Sequence, residues 1–410
     1  MTRLLVPRGY HGFVVLEGWL ISRVVLLATA MATAHASGQP LADQFNRWDA
    51  GHYLGIAEHG YTALTETAFF PGVPLLIDIV HILGPSRLAA GVALSFLASG
   101  VAAWALYRLG GSGDAGVVAA LLWCFAPMAV FTIVPYSESL FCAFAFWAFV
   151  KARQGRWEIA AILAACSCLF RISGIFVVVA LAAGMLVIGL PEAIRTQGSA
   201  AAWWRHDGRK RLARLGWLIV PVLVILVYSF YLKLLYGSWL TWFRAESEGW
   251  YRGFHWPWEA VRETLSAAGI GQPTTQGTNA ILFKLELVAI LVGLVVTVLC
   301  FVRKRIVAGV WVGLQVAAFS FQVWFISVAR AMLLWWPLWT LLGYALVWRL
   351  PGGQAAEESS SGGDESPSTD TTSDVVVLAL RRGLVLAVLA VEGACMVWWA
   401  RRFYSGAWSG

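Results

Sequence analysis

The sequence predicts an all-α polytopic membrane protein, and three observations carry that reading. Hydrophobic residues make up 59% of the 410-residue chain and charged ones only 13%, about half the charged share of a soluble domain. Apolar stretches recur at about 17–25 residues, the length a helix needs to cross the hydrocarbon core. The short alternating segments of a closed barrel are missing from the pattern. The net charge of +7 reads as cytoplasmic loop charge that fixes orientation, not as a nucleic-acid footprint. The six cysteines sit in apolar stretches without metal-ligand spacing and read as small core residues.

The first span, 12–33, follows Arg3 and Arg8. Its end, "ATAMATAHASG", has the small residues of a signal-peptide cleavage site, but Glu17 and Arg23 interrupt the apolar run and argue for a retained anchor. Both charges are expected to face protein or a water-filled cavity. The next stretch, "AFFPGVPLLIDIVHILG" (68–84), is short and broken by Pro71, Gly72, Pro74, Asp78 and His81. Counted as a crossing, it puts Lys151, Arg153, Arg156 and the basic cluster Arg205–Arg214 outside. Kept on the outer surface, it puts them all in the cytoplasm, as the positive-inside rule prefers. It is therefore read as a re-entrant or interfacial helix within a first external loop, 34–86.

Further spans follow at 87–109, 115–134, 138–152, 157–170, 172–190, 215–236, 281–302, 306–328, 331–349 and 377–400. That makes about eleven, with the N-terminus cytoplasmic and the C-terminus outside. Arg401 and Arg402 then fall outside, against the rule. The basic 191–214 segment, with Trp203 and Trp204, reads as an interfacial helix on the anionic inner leaflet. Residues 351–376 carry acids without bases and many Ser, Thr and Gly, which predicts a disordered cytoplasmic linker. It separates a transmembrane domain, 1–350, from a C-terminal helix and tail, 377–410.

With sidedness set, polar residues from five separated segments collect on the external face. "FNRWDAGHYLGIAEHGY" (45–61) holds Arg47, Asp49, His52, Tyr53, Glu58 and His59. "VPYSES" supplies Tyr136 and Glu138, "FRISG" supplies Arg171, the second large external loop (237–280) supplies His255, and "SVAR" supplies Arg330. Each has a structural reading as well. Asp49 and Glu138 suit helix N-termini, Arg171 and Arg330 suit snorkelling to headgroups, and the Trp-rich 239–258 region suits an interfacial belt. The two histidines lack the spacing of a helical metal site, so no metal is expected. The chemical alternative is group transfer from a sugar held on a lipid phosphate, whose leaving group already departs well. That reaction needs a carboxylate base for the acceptor hydroxyl, a role for Asp49. It also needs fixed cations for the phosphate, a role for Arg171 and Arg330.

"RWDAGHYLGIAEHGY", "AFFPGVPLL", "PYSESLFCAFAF" and "FRISGI", in this order over 45–175, resemble the PIG-V-like mannosyltransferases, relatives of the second mannosyltransferase of GPI-anchor synthesis. Weaker echoes lie in "YGSWLTWFRAESEGW" (236–250) and "SVARAMLLWWPLW" (327–339). The resemblance implies a bacterial member with a GT-C-type fold. It implies an inverting enzyme of the plasma membrane that takes mannose from polyprenyl-phosphate mannose on the non-cytoplasmic face, with Asp49 catalytic and no metal or other cofactor. By the same implication Glu138 and Arg171 line the site and Arg330 contacts the donor phosphate, while a glycolipid, lipoglycan or secreted protein is the acceptor. Two other readings stay open: a sibling enzyme using another lipid-linked sugar, and a lipid or sugar transporter. A transporter would call for midplane charges and an internal repeat. Glu17 and Arg23 fit the first; no repeat is seen.

Overall fold

The computed structural model describes residues 6–187, 212–250, 252–271, 277–348 and 371–409, and all regular structure among them is helical. The chain opens with α1 (His11–Ser37), which stops where Gly38 turns left-handed at φ 65°. Two short helices, α2 (Leu41–Phe45) and α3 (Asp49–His59), lead to α4 (Gly72–His81). Then come α5 (Arg87–Leu109), α6 (Asp114–Cys124), α7 (Glu138–Arg153), α8 (Trp157–Cys168) and α9 (Gly174–Val187). After the described gap follow α10 (Ile219–Tyr236), α11 (Thr241–Trp250), α12 (Pro257–Ala267), α13 (Ala280–Val302) and α14 (Ile306–Ser320). The last are α15 (Val328–Ala331), α16 (Trp336–Trp348) and α17 (Thr371–Tyr404).

Among the described residues five helices are long and apolar enough to cross a membrane: His11–Ser37, Arg87–Leu109, Leu212–Tyr236, Ala280–Val302 and Leu378–Tyr404. A helix of that length rises about 35 Å, more than the hydrocarbon core. The other expected spans also hold helices: Glu138–Arg153 fills its span, whereas those at 115–134, 157–170, 306–328 and 331–349 are shorter than expected. Proline explains two of the differences. The expected 115–134 span ends at Cys124 because Pro127 disfavours helix in the residue before it, and the chain continues as a 3-10 turn, Ala129–Thr132. The expected 306–328 span ends at Ser320 and the 331–349 span starts at Trp336, next to Pro337. Between them α15 and a 3-10 turn (Met332–Leu334) descend into the bundle, where Trp123 Nε1 donates to Leu333 O at 2.9 Å.

α4 has 10 residues, a rise of about 15 Å, too short to cross. It leans on the loop after α8: Gly72 N–H donates to Leu169 O at 2.8 Å. A Cβ at Gly72 would sit 2.6 Å from that oxygen, so only glycine allows the approach. Following the chain through its turns, 110–113, 154–156 and 303–305 gather at one end. There Arg153 Nη1 donates to Leu109 O at 2.6 Å and Arg305 lies over the Tyr344 ring. Segments around residues 48, 171, 253, 327 and 408 gather at the other end and line one cavity.

Of the two charges expected to face protein in α1, Arg23 does. It is buried and donates to Cys124 O at 3.2 Å, to Thr132 O at 3.3 Å and to the Thr132 hydroxyl. Glu17 is instead exposed. It lies about 9 Å from the helix start, within reach of the membrane boundary. Cys124, Cys142, Cys168 and Cys300 are buried as expected of core residues, whereas Cys395 is exposed on α17, where apolar sequence faces outward. The expected interfacial helix at 191–214 falls outside the described residues except for its last three, which begin the Leu212–Tyr236 helix. Residues 351–370 of the expected linker also lie outside them. Its last part is helical, since α17 starts at Thr371, where Thr, Ser and Asp suit a first turn.

Candidate active site

Asp49 is the first residue of α3, and the chain reaches it through Trp48 at φ 53° and ψ −122°. A non-glycine residue there is strained, and such strain concentrates where a neighbour's aim matters. The aim is fixed from below. Asp49 N–H donates to Tyr136 Oη at 3.2 Å, and that hydroxyl donates to Arg47 O at 3.3 Å. Burial, reinforced by the Asp49 charge, raises the Tyr136 hydroxyl well above its ordinary range and keeps its proton in place.

Glu138 opens α7, where a negative charge suits the helix dipole. It is fully buried, and its Oε1 meets Arg171 Nη1 at 2.6 Å and Arg330 Nε at 3.2 Å. Arg171 Nη1 also donates to Ser137 Oγ at 2.8 Å. Arg330 Nη1 then reaches Asp49 Oδ2 at 2.9 Å. The four charges alternate in sign and form one neutral row: Asp49, Arg330, Glu138, Arg171. Arg330 also lies over the rings of Phe131 and Tyr136, at 5.3 and 5.6 Å. Burial disfavours its charge, but Glu138 and Asp49 outweigh that and bind its proton more firmly than in a free arginine.

Arg330 sits on the four-residue α15, which cannot hold itself in place. Ser327, left-handed at φ 61°, turns the chain into it. Glu286, buried on α13 about 9 Å from the helix start, accepts Ser327 N–H at 3.0 Å and Ala329 N–H at 2.9 Å. Sequence reasoning passed over Glu286. The signal was present in "LFKLELVAIL", a lone acid inside an apolar span, the kind of residue that marks function by default.

Asp49, Tyr53, Arg171 and Arg330 line a cavity of about 740 Å³, within the usual size range of a ligand site. Its walls include Phe69, Phe70, Phe170, Trp242, Phe243 and Trp250, and a second polar group from Glu246, Arg252, Gln315 and Gln322. Tyr136 and Glu138 stand directly behind the lining residues. The other predicted residues lie elsewhere. His52 is exposed, with its ring stacked on Phe69 at 4.8 Å and edge-on to Trp250 at 5.9 Å. Arg47 turns away to donate to Gln39 Oε1. Glu58 and His59 are about 14 Å along α3 from Asp49. They pair with each other at 3.8 Å, and Glu58 meets Arg87 at 3.8 Å on the outer surface. His255 Nδ1 is 3.5 Å from Glu259, and its N–H donates to Phe321 O.

Residues 18–190 match the family described as mannosyltransferase (PIG-V). The chain is 42% identical over 125 residues to GPI alpha-1,6-mannosyltransferase 2 of Cricetulus griseus and 38% identical over 125 residues to that of Homo sapiens. Each match covers 27% of this chain and 25% of the relative, so the chain spans about a quarter of the length of the curated relatives it matches. Among solved structures, ArnT from Cupriavidus metallidurans bound to undecaprenyl phosphate resembles the chain at TM-score 0.47 and 14% identity, over 96% of this chain and 76% of that one. The segment that carries Asp49, Glu138 and Arg171 thus lies within the part of the chain that matches the PIG-V mannosyltransferase model, the family that the quoted motifs resemble.

Proposed function

We propose that the chain is a membrane mannosyltransferase of GT-C type that moves mannose from polyprenyl-phosphate mannose to a glycolipid or other lipid-linked acceptor, with inversion at the anomeric carbon. The carrying observation is the pairing of Asp49 with Arg330 at the wall of the cavity. In this reading Asp49 takes the proton of the acceptor hydroxyl as its oxygen bonds to C1 of mannose. The C1–O bond to phosphate breaks, and the phosphate keeps the electron pair. Direct displacement by one acceptor oxygen inverts the centre.

The charge row prepares both halves of that step. Before substrate binds, Arg330 holds the Asp49 carboxylate in place at 2.9 Å. An arriving phosphate competes for the guanidinium groups of Arg330 and Arg171, which frees Asp49 to act as base. Glu138 remains behind as the buried counter-charge that holds both arginines at spacing. Aromatic walls at Phe69, Phe70 and Trp242 suit the polyprenyl chain and sugar faces. We further propose the plasma membrane as location and its non-cytoplasmic side as the site of reaction, because the basic loops gather at the end opposite the cavity.

The test is transfer by the full chain in lipid nanodiscs, using polyprenyl-phosphate mannose, glucose and arabinose as alternative donors and a membrane glycolipid extract as acceptor. Mannose alone should be transferred, giving an α-linked product. Transfer of another sugar with no mannose would replace this reading by the sibling-enzyme one.

A further inference from the structure

The cavity has a second polar wall that the proposed transfer step does not use. Arg252 Nη1 is 3.2 Å from Glu246 Oε2, and the Arg252 N–H closes the same loop by donating to Glu246 O at 3.1 Å. Gln322 lines the same cavity. The Phe254 ring stacks on Phe321 with centroids 5.5 Å apart, and His255 N–H donates to Phe321 O at 3.0 Å, which ties the 252–255 strand of loop to residue 321. Glu246, Arg252 and Gln322 all line the cavity, as do Trp250 and Phe254. The Arg252 and Glu246 side chains keep 23% and 13% of their surface exposed, and a single ion pair exhausts neither the five N–H donors of an arginine nor the two oxygens of a carboxylate.

The chemistry of a ligand for this wall follows from what it offers. A carboxylate–guanidinium pair and a carboxamide present both acceptors and donors to one cavity. Neighbouring hydroxyls of a sugar ring both donate and accept, so they match such a set. A phosphate only accepts, and Glu246 would repel it. Trp250 adds an indole face beside the group, suited to the apolar face of a pyranose. It is held edge-on by Phe69 at 5.2 Å.

We propose that Glu246, Arg252 and Gln322 form a hydroxyl-recognising subsite for a sugar ring of the acceptor, in the cavity that Asp49 and Arg330 also line. This deepens the proposed transfer reaction and rests on it for the word acceptor, but sugar binding at this wall is testable without any transfer. The arrangement gives the two substrates separate determinants: the charge row takes the donor phosphate, and this wall takes an uncharged polyol. The acceptor hydroxyl that reacts is then held by its own ring rather than by the base.

The experiment uses the full chain in nanodiscs and methyl α-mannoside as the sugar probe, read by saturation-transfer NMR without donor. The wild type and Asp49→Asn should both give ring-proton signals. Gln322→Ala and Arg252→Lys should lower them at least threefold, with Glu246→Gln as a third variant should either of those fail to fold. Absence of signal in the wild type overturns the subsite. So does a signal that survives in the wall variants and disappears in Asp49→Asn, which would assign the sugar to the donor side. In a parallel transfer assay the wall variants should raise the acceptor KM about tenfold and leave the donor KM within twofold. Failure of wild-type transfer with sugar binding intact would count against the mannosyltransferase reading and leave the subsite standing.

Discussion

Arg330 Nη1 and Asp49 Oδ2 lie 2.9 Å apart although 281 residues of chain separate them. The contact joins the first loop of the protein to a segment near its end, and it is made where α15 dips below the expected span boundary. Arg330 serves two carboxylates, Asp49 and the fully buried Glu138. Removing it strands Asp49 and leaves Glu138 with Arg171 alone. Arg330→Ala should therefore lower stability by about 3–5 kcal/mol, the usual effect of breaking a buried ion pair from one side, as measured by thermal unfolding in detergent. Arg330→Lys keeps the charge without the two-sided fork; it should recover much of the stability and little of the activity.

Glu286 is expected to act on catalysis through Arg330 without touching substrate. Glu286→Ala leaves two backbone N–H groups without acceptors in the bundle, at about 1–3 kcal/mol each. Glu286→Gln keeps one carbonyl acceptor, so it should fold with a smaller loss. In the Gln variant kcat should fall and the donor KM rise together, because α15 carries the phosphate-facing guanidinium. A variant that loses stability but keeps both kinetic constants would reduce Glu286 to a structural role.

Ser327 is held left-handed at φ 61°, a conformation that costs a residue with a Cβ about 1 kcal/mol or more. Ser327→Gly should raise the melting temperature modestly and leave transfer near the wild-type rate, since the turn and its N–H to Glu286 are kept. Ser327→Val should do the opposite on both counts.

The orientation proposed for the chain makes a labelling prediction. A cysteine at His59, on the cavity end, should react with a membrane-impermeant maleimide in intact cells. A cysteine at Gly155, in the turn with Arg153 and Arg156, should react only after permeabilisation. Reversed labelling would move the active site to the cytoplasm.

Much of the fold was legible because membrane helices are written as apolar length, and every expected span holds a helix among the described residues. What the sequence concealed was where short helices stop. Pro127 and Pro337 are visible, but nothing local says that 321–335 leaves the helical path to bring Arg330 beside Asp49. At the candidate site Asp49, Tyr136, Glu138, Arg171 and Arg330 come together from four of the five segments, while His255 of the fifth stays apart. Glu58 and His59 do not join them, since helical geometry carries residues nine and ten places on from Asp49 well away from it. Glu246, Arg252 and Gln322 were hidden for a different reason. Their loop reads as an aromatic belt, and only its folding onto residues 321–322 turns it into a wall of the cavity.

The central claim is that Asp49 is the base, and its direct measurement is mannose transfer from polyprenyl-phosphate mannose by Asp49→Asn in nanodiscs. Asparagine keeps the size of the side chain and an acceptor for Arg330 but cannot take a proton at the working pH. The account predicts a folded variant, with a melting temperature near that of the wild type, whose kcat falls by about 10²–10⁴-fold while the donor still binds. A folded Asp49→Asn enzyme turning over at close to the wild-type rate would contradict it.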